Sequence, residues 1–176
     1  MEIPVYLFTG FLESGKSTFI REILSDENFT QDERTLLLLC EEGIEEFDEV
    51  FLRRCNTVAV TIEDQNALTR TYCQLLTRKH RPDRVVIEYN GMWPTDTLDV
   101  AFPREWQLYQ VVNSINAETF EMYVNNMGAK MLGHIAFADL VVFNRCTDAA
   151  KAFIRSKNIR ARNPRATIFL EDIDDN

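Results

Sequence analysis

The chain has 176 residues, 45% of them hydrophobic and 27% charged, and its formal net charge is −9; this balance is typical of a single globular domain with a sizeable core. The negative charge disfavours DNA or RNA, whose phosphate backbones are also negative, so we predict no nucleic-acid partner. With no run of 18 apolar residues, no basic leader and no CxxC pair among the cysteines, the sequence predicts no membrane association and a cytoplasmic location with reduced thiols.

Short apolar runs alternate with helical patterns along the whole chain. The first run, from Ile3 to Phe8, predicts a buried strand, and residues 16–25 follow it with apolar residues at helical spacing. The same criteria predict strands at 34–40, 57–62, 84–87, 110–115, 140–143 and 166–170, and helices at 64–80, within 120–137 and at 149–156.

This alternation defines the expected fold class. Continuous apolar strands separated by helices favour an α/β fold with a mostly parallel sheet and helices on both faces, which is a three-layer α/β/α domain. We place this domain at residues 1–170. Residues 171–176 are acidic and predict a C-terminal tail, either a frayed end or a truncated linker.

The turn between the first strand and the first helix carries a phosphate-binding pattern. Residues 10–17 read Gly-Phe-Leu-Glu-Ser-Gly-Lys-Ser, which fits G-x-x-x-x-G-K-[ST] in the required position after a strand and before a helix. Gly10 and Gly15 allow the backbone to curl with no Cβ in the way. The positive end of the helix then favours bound phosphate. The sequence therefore predicts binding of a nucleoside triphosphate with Mg²⁺.

Both backbone and side chains of this loop are expected to contact the ligand. The Lys16 ammonium is expected to reach the β- and γ-phosphates, and the Ser17 hydroxyl to bind Mg²⁺. Glu13 would place a carboxylate beside phosphate, so we expect its side chain to turn to solvent, the alternative being a direct role. The backbone N–H groups expected to point at the phosphates belong to Glu13, Ser14, Gly15, Lys16, Ser17 and Thr18.

A second acidic position follows the strand at 84–87. Glu88 ends that strand, and Gly91 follows three residues later. A carboxylate at the tip of a strand can hold Mg²⁺ or its water shell, and a glycine N–H can approach the γ-phosphate without steric cost. A glutamate that merely ends a strand is the alternative. Together with the phosphate loop, the pattern predicts Lys16 and Glu88 as catalytic residues that act by positioning and electrostatics.

Together these motifs resemble the CobW-type GTPases, which are relatives of the UreG and HypB metal-insertion GTPases. The resemblance extends over about residues 3–170. It implies a P-loop NTPase fold, GTP and GDP as ligands, slow hydrolysis, and a nucleotide switch linked to metal or cofactor delivery, as in a metallochaperone. The segments that carry it are Thr9–Thr18, Ile87–Gly91, Ala138–Arg145 and Asn163–Ala166.

The resemblance also implies a switch region after the second strand. There Cys40-Glu41-Glu42-Gly43 replaces the family's Asn-Glu-x-Gly, and Asp48 follows. Glu41 would lie in the magnesium shell, and the segment would respond to the nucleotide. A solvated acidic loop is the alternative.

Guanine recognition is where the sequence departs from the family. The family uses Asn-Lys-x-Asp, and the matching stretch here is Asn144-Arg145-Cys146-Thr147-Asp148. Asn144 is well placed, and Arg145 can cover the base in place of lysine. Asp148 falls one residue late and would need a bulge to reach the base. The resemblance favours GTP, with ATP as the alternative.

The metal motif is a second departure. The family's Cys-x-Cys-Cys cluster is absent from residues 56–64, which predicts that a soft-metal site of that type is missing. This absence favours a runner-up function, a nucleotide-dependent interaction switch without turnover or metal cargo. A P-loop kinase is a third alternative, although no arginine-rich lid is evident.

A protein partner or a homodimer is also expected. The apolar segment at 92–106, with Trp93 and Trp106, predicts either a surface that docks a partner or second subunit, or ordinary core packing.

Overall fold

The computed structural model describes residues 2–30, 32–41 and 47–173. Seven strands form one sheet in the order β3-β2-β4-β1-β5-β6-β7, and all the strand pairs are parallel. The carboxyl ends of the strands therefore meet along one edge of the sheet. The strands are β1 (Ile3–Thr9), β2 (Thr35–Leu39), β3 (Thr57–Thr61), β4 (Arg84–Glu88), β5 (Trp106–Asn116), β6 (Leu140–Cys146) and β7 (Thr167–Asp172).

Helices connect these strands. They are α1 (Lys16–Ser25), α2 (Glu27–Thr30), α3 (Glu49–Arg54), α4 (Arg70–His80), α5 (Leu98–Ala101), α6 (Ala117–Phe137), α7 (Asp148–Ser156) and α8 (Ile159–Arg162). Together with the parallel sheet, this arrangement confirms the predicted α/β fold of the P-loop NTPase type. Within the described ranges, no helix is both long enough and apolar enough to cross a bilayer.

The hydrophobic residues divide into two cores because side chains alternate across a strand. In β2, Leu36 and Leu38 pack in one core, whereas Leu37 packs in the other with Ile20 and Leu24 of α1. The sheet is thus buried on both sides at its centre, which explains why its strands are continuously apolar.

Several boundaries differ from the predicted ones. The helix predicted at 64–80 begins at Arg70, because Asp64 caps a separate 3₁₀ turn and the Thr69 side chain accepts a hydrogen bond from Tyr72 N–H. In the region predicted as a switch, Asp48 is the N-cap of α3. Strand β7 extends to Asp172, so Glu171 and Asp172 lie in the sheet and not in the predicted tail. Residues 174–176 of that tail lie outside the described residues.

Candidate functional site

The turn from β1 to α1 adopts a conformation that depends on its glycines. Gly10 has φ of 148° and Gly15 has φ of 89°. A Cβ on Gly10 would lie 2.4 Å from the Ser114 carbonyl oxygen, and one on Gly15 would lie 2.7 Å from Asn144 Nδ2. Gly10 therefore needs glycine for space as well as for φ, whereas Gly15 needs it for φ, because the Asn144 side chain can move. Glu13 also has a positive φ, 58°, and its side chain is exposed at the mouth of the loop.

Residues of β5 and β6 donate hydrogen bonds to the backbone of this loop. Asn144 Nδ2 donates to the Ser14 carbonyl oxygen over 2.8 Å, and the Ser114 hydroxyl donates to the same oxygen. Arg145 donates to the Glu13 carbonyl oxygen over 3.4 Å. Two buried atoms at this point, Ser14 Oγ and Asn144 Oδ1, have no hydrogen-bond partner among the described residues. Buried polar atoms of this kind are expected to find a partner, and a bound ligand can supply one.

Lys16 is buried at the start of α1. Its Nζ donates to the carbonyl oxygens of Gly10 and Phe11, each over 3.0 Å, and lies 2.8 Å from Glu41 Oε2. The side chain is 2% exposed. These three acceptors match the three N–H donors of the ammonium group, so an anionic ligand must displace at least one of them.

Glu88, which the sequence predicts at the metal, contacts the phosphate loop. Ser17 Oγ lies 2.5 Å from Glu88 Oε1 at the carboxyl end of β4, where Glu88 is 5% exposed. A hydroxyl and a carboxylate are hard oxygen donors of the kind that Mg²⁺ prefers. The residues present therefore fit a magnesium ion, which Ser17 and Glu88 would hold. Glu41 lies near them, in contact with Lys16.

A cavity of about 1120 Å³ opens over these groups. It brings the phosphate loop together with Glu41, which follows β2, with Glu88 at the end of β4 and with Arg145 near the end of β6. The other residues of the switch pattern, Glu42 and Gly43, lie outside the described residues. The predicted site residues that line the cavity are Glu13, Ser14, Gly15, Lys16, Ser17, Thr18, Glu41, Glu88 and Arg145.

A smaller cavity of about 420 Å³ adjoins the first one. Asn144 lines it, and Gly15, Thr18 and Arg145 line both cavities. Asp148 is not among its lining residues; it is the first residue of α7, and its side chain is exposed.

The strand that precedes Asp148 is irregular near its end. Arg145 has φ of 52°, and the pairing of β6 with β7 shifts register between Phe143 and Cys146. Thr147 stands three residues after Asn144, and its side chain caps α7 by accepting from Ala150 N–H. No carboxylate therefore occupies the position where the family has its aspartate.

Helix α6 contributes a set of contacts that the sequence did not predict. His134 Nε2 lies 3.0 Å from the Gly91 carbonyl oxygen, and Lys130 Nζ donates to the Met92 carbonyl oxygen over 2.7 Å. Burial lowers the pKa of His134, so the ring is neutral and Nε2 can donate to this carbonyl. Helix α6 thus contacts the backbone of Gly91 and Met92, shortly after Glu88. These partners are backbone carbonyls, which leave no side-chain pattern in the sequence.

The phosphate loop also rests on α6. The Phe11 ring stacks on Tyr123 with 4.6 Å between centroids, and it meets His134 edge-on. One helix therefore contacts both the phosphate loop and the segment that begins at Gly91.

The cysteines are buried free thiols. Burial raises the pKa of Cys73 to about 12 and also raises that of Cys40. These thiols stay protonated near neutral pH and are poor metal ligands in this state. In the part of the chain that the structure describes, no group of three or more His, Cys, Asp or Glu residues is placed to hold a metal ion.

The apolar segment at 92–106 is partly core. Trp106 is 3% exposed, and its Nε1 donates to Thr77 Oγ1 over 3.0 Å. Trp93 packs edge-on against the buried Tyr89 ring. These contacts favour the packing alternative for both tryptophans, whereas Met92 is 49% exposed.

Comparisons with known proteins agree with this geometry. The family model described as the CobW/HypB/UreG nucleotide-binding domain matches residues 4–169. A zinc chaperone CobW from Sinorhizobium sp is 32% identical in an alignment of 114 residues, with coverage of 57% of this chain and 31% of that protein. The chain thus spans less than a third of the length of this curated relative.

Solved structures show the same fold. The hydrogenase maturation factor HypB from Archaeoglobus fulgidus has a TM-score of 0.67 at 19% identity, covering 98% of this chain and 82% of that one. The Zn(II)-bound YjiA GTPase from E. coli has a TM-score of 0.69 at 20% identity, covering 99% of this chain and 60% of that one.

Proposed function

Because the chain belongs to the CobW/HypB/UreG nucleotide-binding domain family, whose members are P-loop GTPases, we propose that it binds GTP with Mg²⁺, hydrolyses it slowly and acts as a nucleotide switch. The observation that carries this proposal is the contact of 2.5 Å between Ser17 Oγ and Glu88 Oε1. It joins the phosphate loop to the tip of β4 inside the cavity that also holds Lys16.

Each group has a distinct part in the proposed reaction. The loop N–H groups and the Lys16 ammonium stabilise the charge that develops on the β- and γ-phosphate oxygens. Ser17 and Glu88 would hold Mg²⁺, which supplies further charge neutralisation when bound. The N–H of Gly91 would approach the γ-phosphate. We assign no residue to orient the attacking water, so we expect an intrinsic rate on the order of 10⁻⁴ to 10⁻² s⁻¹, as for GTPases without an activator.

Phosphate release tests the proposal directly. The purified chain, incubated with GTP or ATP, is expected to release phosphate faster from GTP, and only with Mg²⁺. Chelation of Mg²⁺ by EDTA is expected to stop the reaction, because the γ-phosphate charge is then no longer neutralised. Release from neither nucleotide, or release that EDTA leaves unchanged, would refute hydrolysis by this site.

The biological task that we propose is delivery of a metal or a cofactor to a target protein, with the nucleotide state as the control. The curated relative is named as a zinc chaperone. We assign the nucleotide step to this chain and assign no cargo ligand. We also place the chain in the cytoplasm, because free thiols such as these four persist in a reducing compartment.

A runner-up function is an interaction switch that binds GTP with negligible turnover. The lack of a cysteine in residues 56–64 favours it, because metal cargo is then not expected at that position. Single-turnover hydrolysis with and without a candidate partner protein separates the two functions. Turnover that a partner accelerates supports the first, and binding without turnover supports the second.

Glu41→Gln is expected to tighten nucleotide binding several-fold when Mg²⁺ is absent. The Glu41 carboxylate lies 2.8 Å from Lys16 Nζ and is 15% exposed, so it competes with phosphate for the same ammonium. A fluorescent GTP analogue titrated in EDTA measures the effect. Adding Mg²⁺ is expected to shrink the gain, because Glu41 is also the predicted magnesium-shell residue.

Glu49→Gln is the matched control for this test. Glu49 lines the same cavity but pairs with Arg53 at the surface, where its side chain is 84% exposed. It is therefore expected to change the affinity little. If Glu41→Gln binds the analogue no better than the wild type in EDTA, the proposal that Glu41 competes with phosphate for Lys16 is wrong.

A further inference from the structure

The smaller cavity lies where the nucleoside half of a nucleotide would continue from the phosphate loop. It shares Gly15, Thr18 and Arg145 with the larger cavity, so the two volumes meet at the start of α1. Its volume of about 420 Å³ is in the range of small-ligand sites. This placement rests on the proposed function, since the phosphates fix where the base can lie.

The walls of this cavity suit a flat ring with a polar edge. The cavity has an apolar wall formed by Leu140, Val142 and Phe169. The Phe169 side chain is 56% exposed, so its ring is accessible to a ligand. Asn144 and Arg145 add polar groups. An aromatic or apolar wall of this kind favours stacking of any base and so cannot by itself choose between guanine and adenine.

Two carboxylates line the cavity, Glu22 and Glu171. The two carboxylates lie at different distances from the phosphate loop. Glu171 lies near the carboxyl end of β7, between the register pairs Phe143–Leu170 and Cys146–Asp172. It is therefore level with Asn144 and Arg145, at the sheet edge where ligands of parallel sheets bind. Glu22 lies seven residues into α1 from Gly15, about 10 Å farther along the helix axis.

The direction of the Glu171 side chain follows from its neighbour. Asp172 forms an ion pair with Lys151 of α7. Because successive side chains of a strand point to opposite faces, Glu171 lies on the other face, with Phe169 and the cavity. A residue that the sequence placed in a tail thus lies beside Asn144 through the pairing of β7 with β6.

Guanine and adenine differ in the hydrogen-bonding groups that they would present to Glu171. Guanine presents two adjacent donors, N1–H and the 2-amino group, whereas adenine presents an acceptor at N1. A carboxylate has only acceptors and can receive both guanine donors at once. We propose that Glu171 selects guanine over adenine in this chain, at a site where Thr147 has no carboxylate to offer.

The test compares nucleotide preference in the full chain and three variants. GTP and ATP affinities are measured with Mg²⁺ for the wild type, Glu171→Gln, Glu22→Gln and Asp148→Asn. Glu171→Gln is expected to lose about tenfold or more in the ratio of GTP to ATP affinity, the size of one bidentate base contact. Glu22→Gln and Asp148→Asn are expected to keep the ratio of the wild type.

Xanthosine triphosphate adds a readout that a purely structural role would not change. Xanthine has a carbonyl in place of the 2-amino group, so a glutamine amide, with one acceptor and one donor, complements its edge. Glu171→Gln is therefore expected to gain affinity for xanthosine triphosphate relative to GTP.

The outcomes separate this inference from the proposed function. An unchanged ratio in Glu171→Gln, or a ratio that falls only in Asp148→Asn, overturns the role of Glu171 while nucleotide binding stands. A wild type that binds GTP and ATP equally also overturns it. A wild type that binds neither nucleotide overturns the proposed function itself.

Discussion

Lys16→Ala is expected to reduce the rate of GTP hydrolysis at least about a hundredfold. The cavity over the loop is strongly acidic, and a triphosphate entering it needs local positive charge. Lys16 and Arg145 are the cations among the described residues that line it, and Lys16 lies at the loop itself. The carboxylates that line it are those of Glu13, Glu41, Asp48, Glu49, Glu63 and Glu88.

A loss of activity could also come from a destabilised fold, so Lys16→Ala is compared with a second variant that controls for stability. Removal of Lys16 leaves the Glu41 carboxylate, 15% exposed, without the ammonium 2.8 Å away. Leaving a buried charge unpaired is destabilising. The double variant Lys16→Ala/Glu41→Gln removes that charge, so it is expected to recover stability but not hydrolysis.

The two variants are compared by thermal unfolding and by phosphate release from GTP. Recovery of activity in the double variant would show that Lys16 acts only by neutralising Glu41. Hydrolysis near the wild-type rate in Lys16→Ala would contradict the assigned role of the loop.

The central part of this site could be predicted from the sequence because its residues are either contiguous in the chain or brought together by the order of the strands. The phosphate loop is contiguous, and its spacing alone implies its shape. The meeting of Ser17 with Glu88 follows from one further fact, that β1 and β4 end at the same edge of a parallel sheet. Neither inference needs side-chain packing.

The remaining parts depend on register and on backbone partners. Glu171 seemed to belong to an acidic tail, because only the pairing of β7 with β6 brings it beside Asn144. Asn144 was predicted at the base, and the structure adds a second contact, from its Nδ2 to the Ser14 carbonyl oxygen. His134 and Lys130 bond to backbone carbonyls, which any residue can supply. Contacts of this kind cannot be recognised from a pattern of residue types in the sequence.

Gly91→Ala is the second substitution with a large expected effect. A Cβ on Gly91 would lie 2.3 Å from the Gly10 carbonyl oxygen and 2.9 Å from Phe11 N, and both are backbone atoms of the phosphate loop. That carbonyl also accepts from Lys16 Nζ. Gly91 cannot simply retreat, because its own carbonyl oxygen lies 3.0 Å from His134 Nε2 on α6. The added methyl must therefore displace the loop or break the contact with α6.

We expect Gly91→Ala to reduce hydrolysis at least tenfold and to lower the free energy of unfolding by about 1–3 kcal/mol, as overpacking commonly does. Gly133→Ala is the matched control. It adds the same methyl within α6, where no atom lies within 4 Å of the new Cβ, and a helical alanine is expected to stabilise by up to about 1 kcal/mol. Denaturant unfolding and phosphate release measure both variants. If Gly91→Ala kept wild-type hydrolysis and stability, the close approach of this glycine to the phosphate loop would not matter for either.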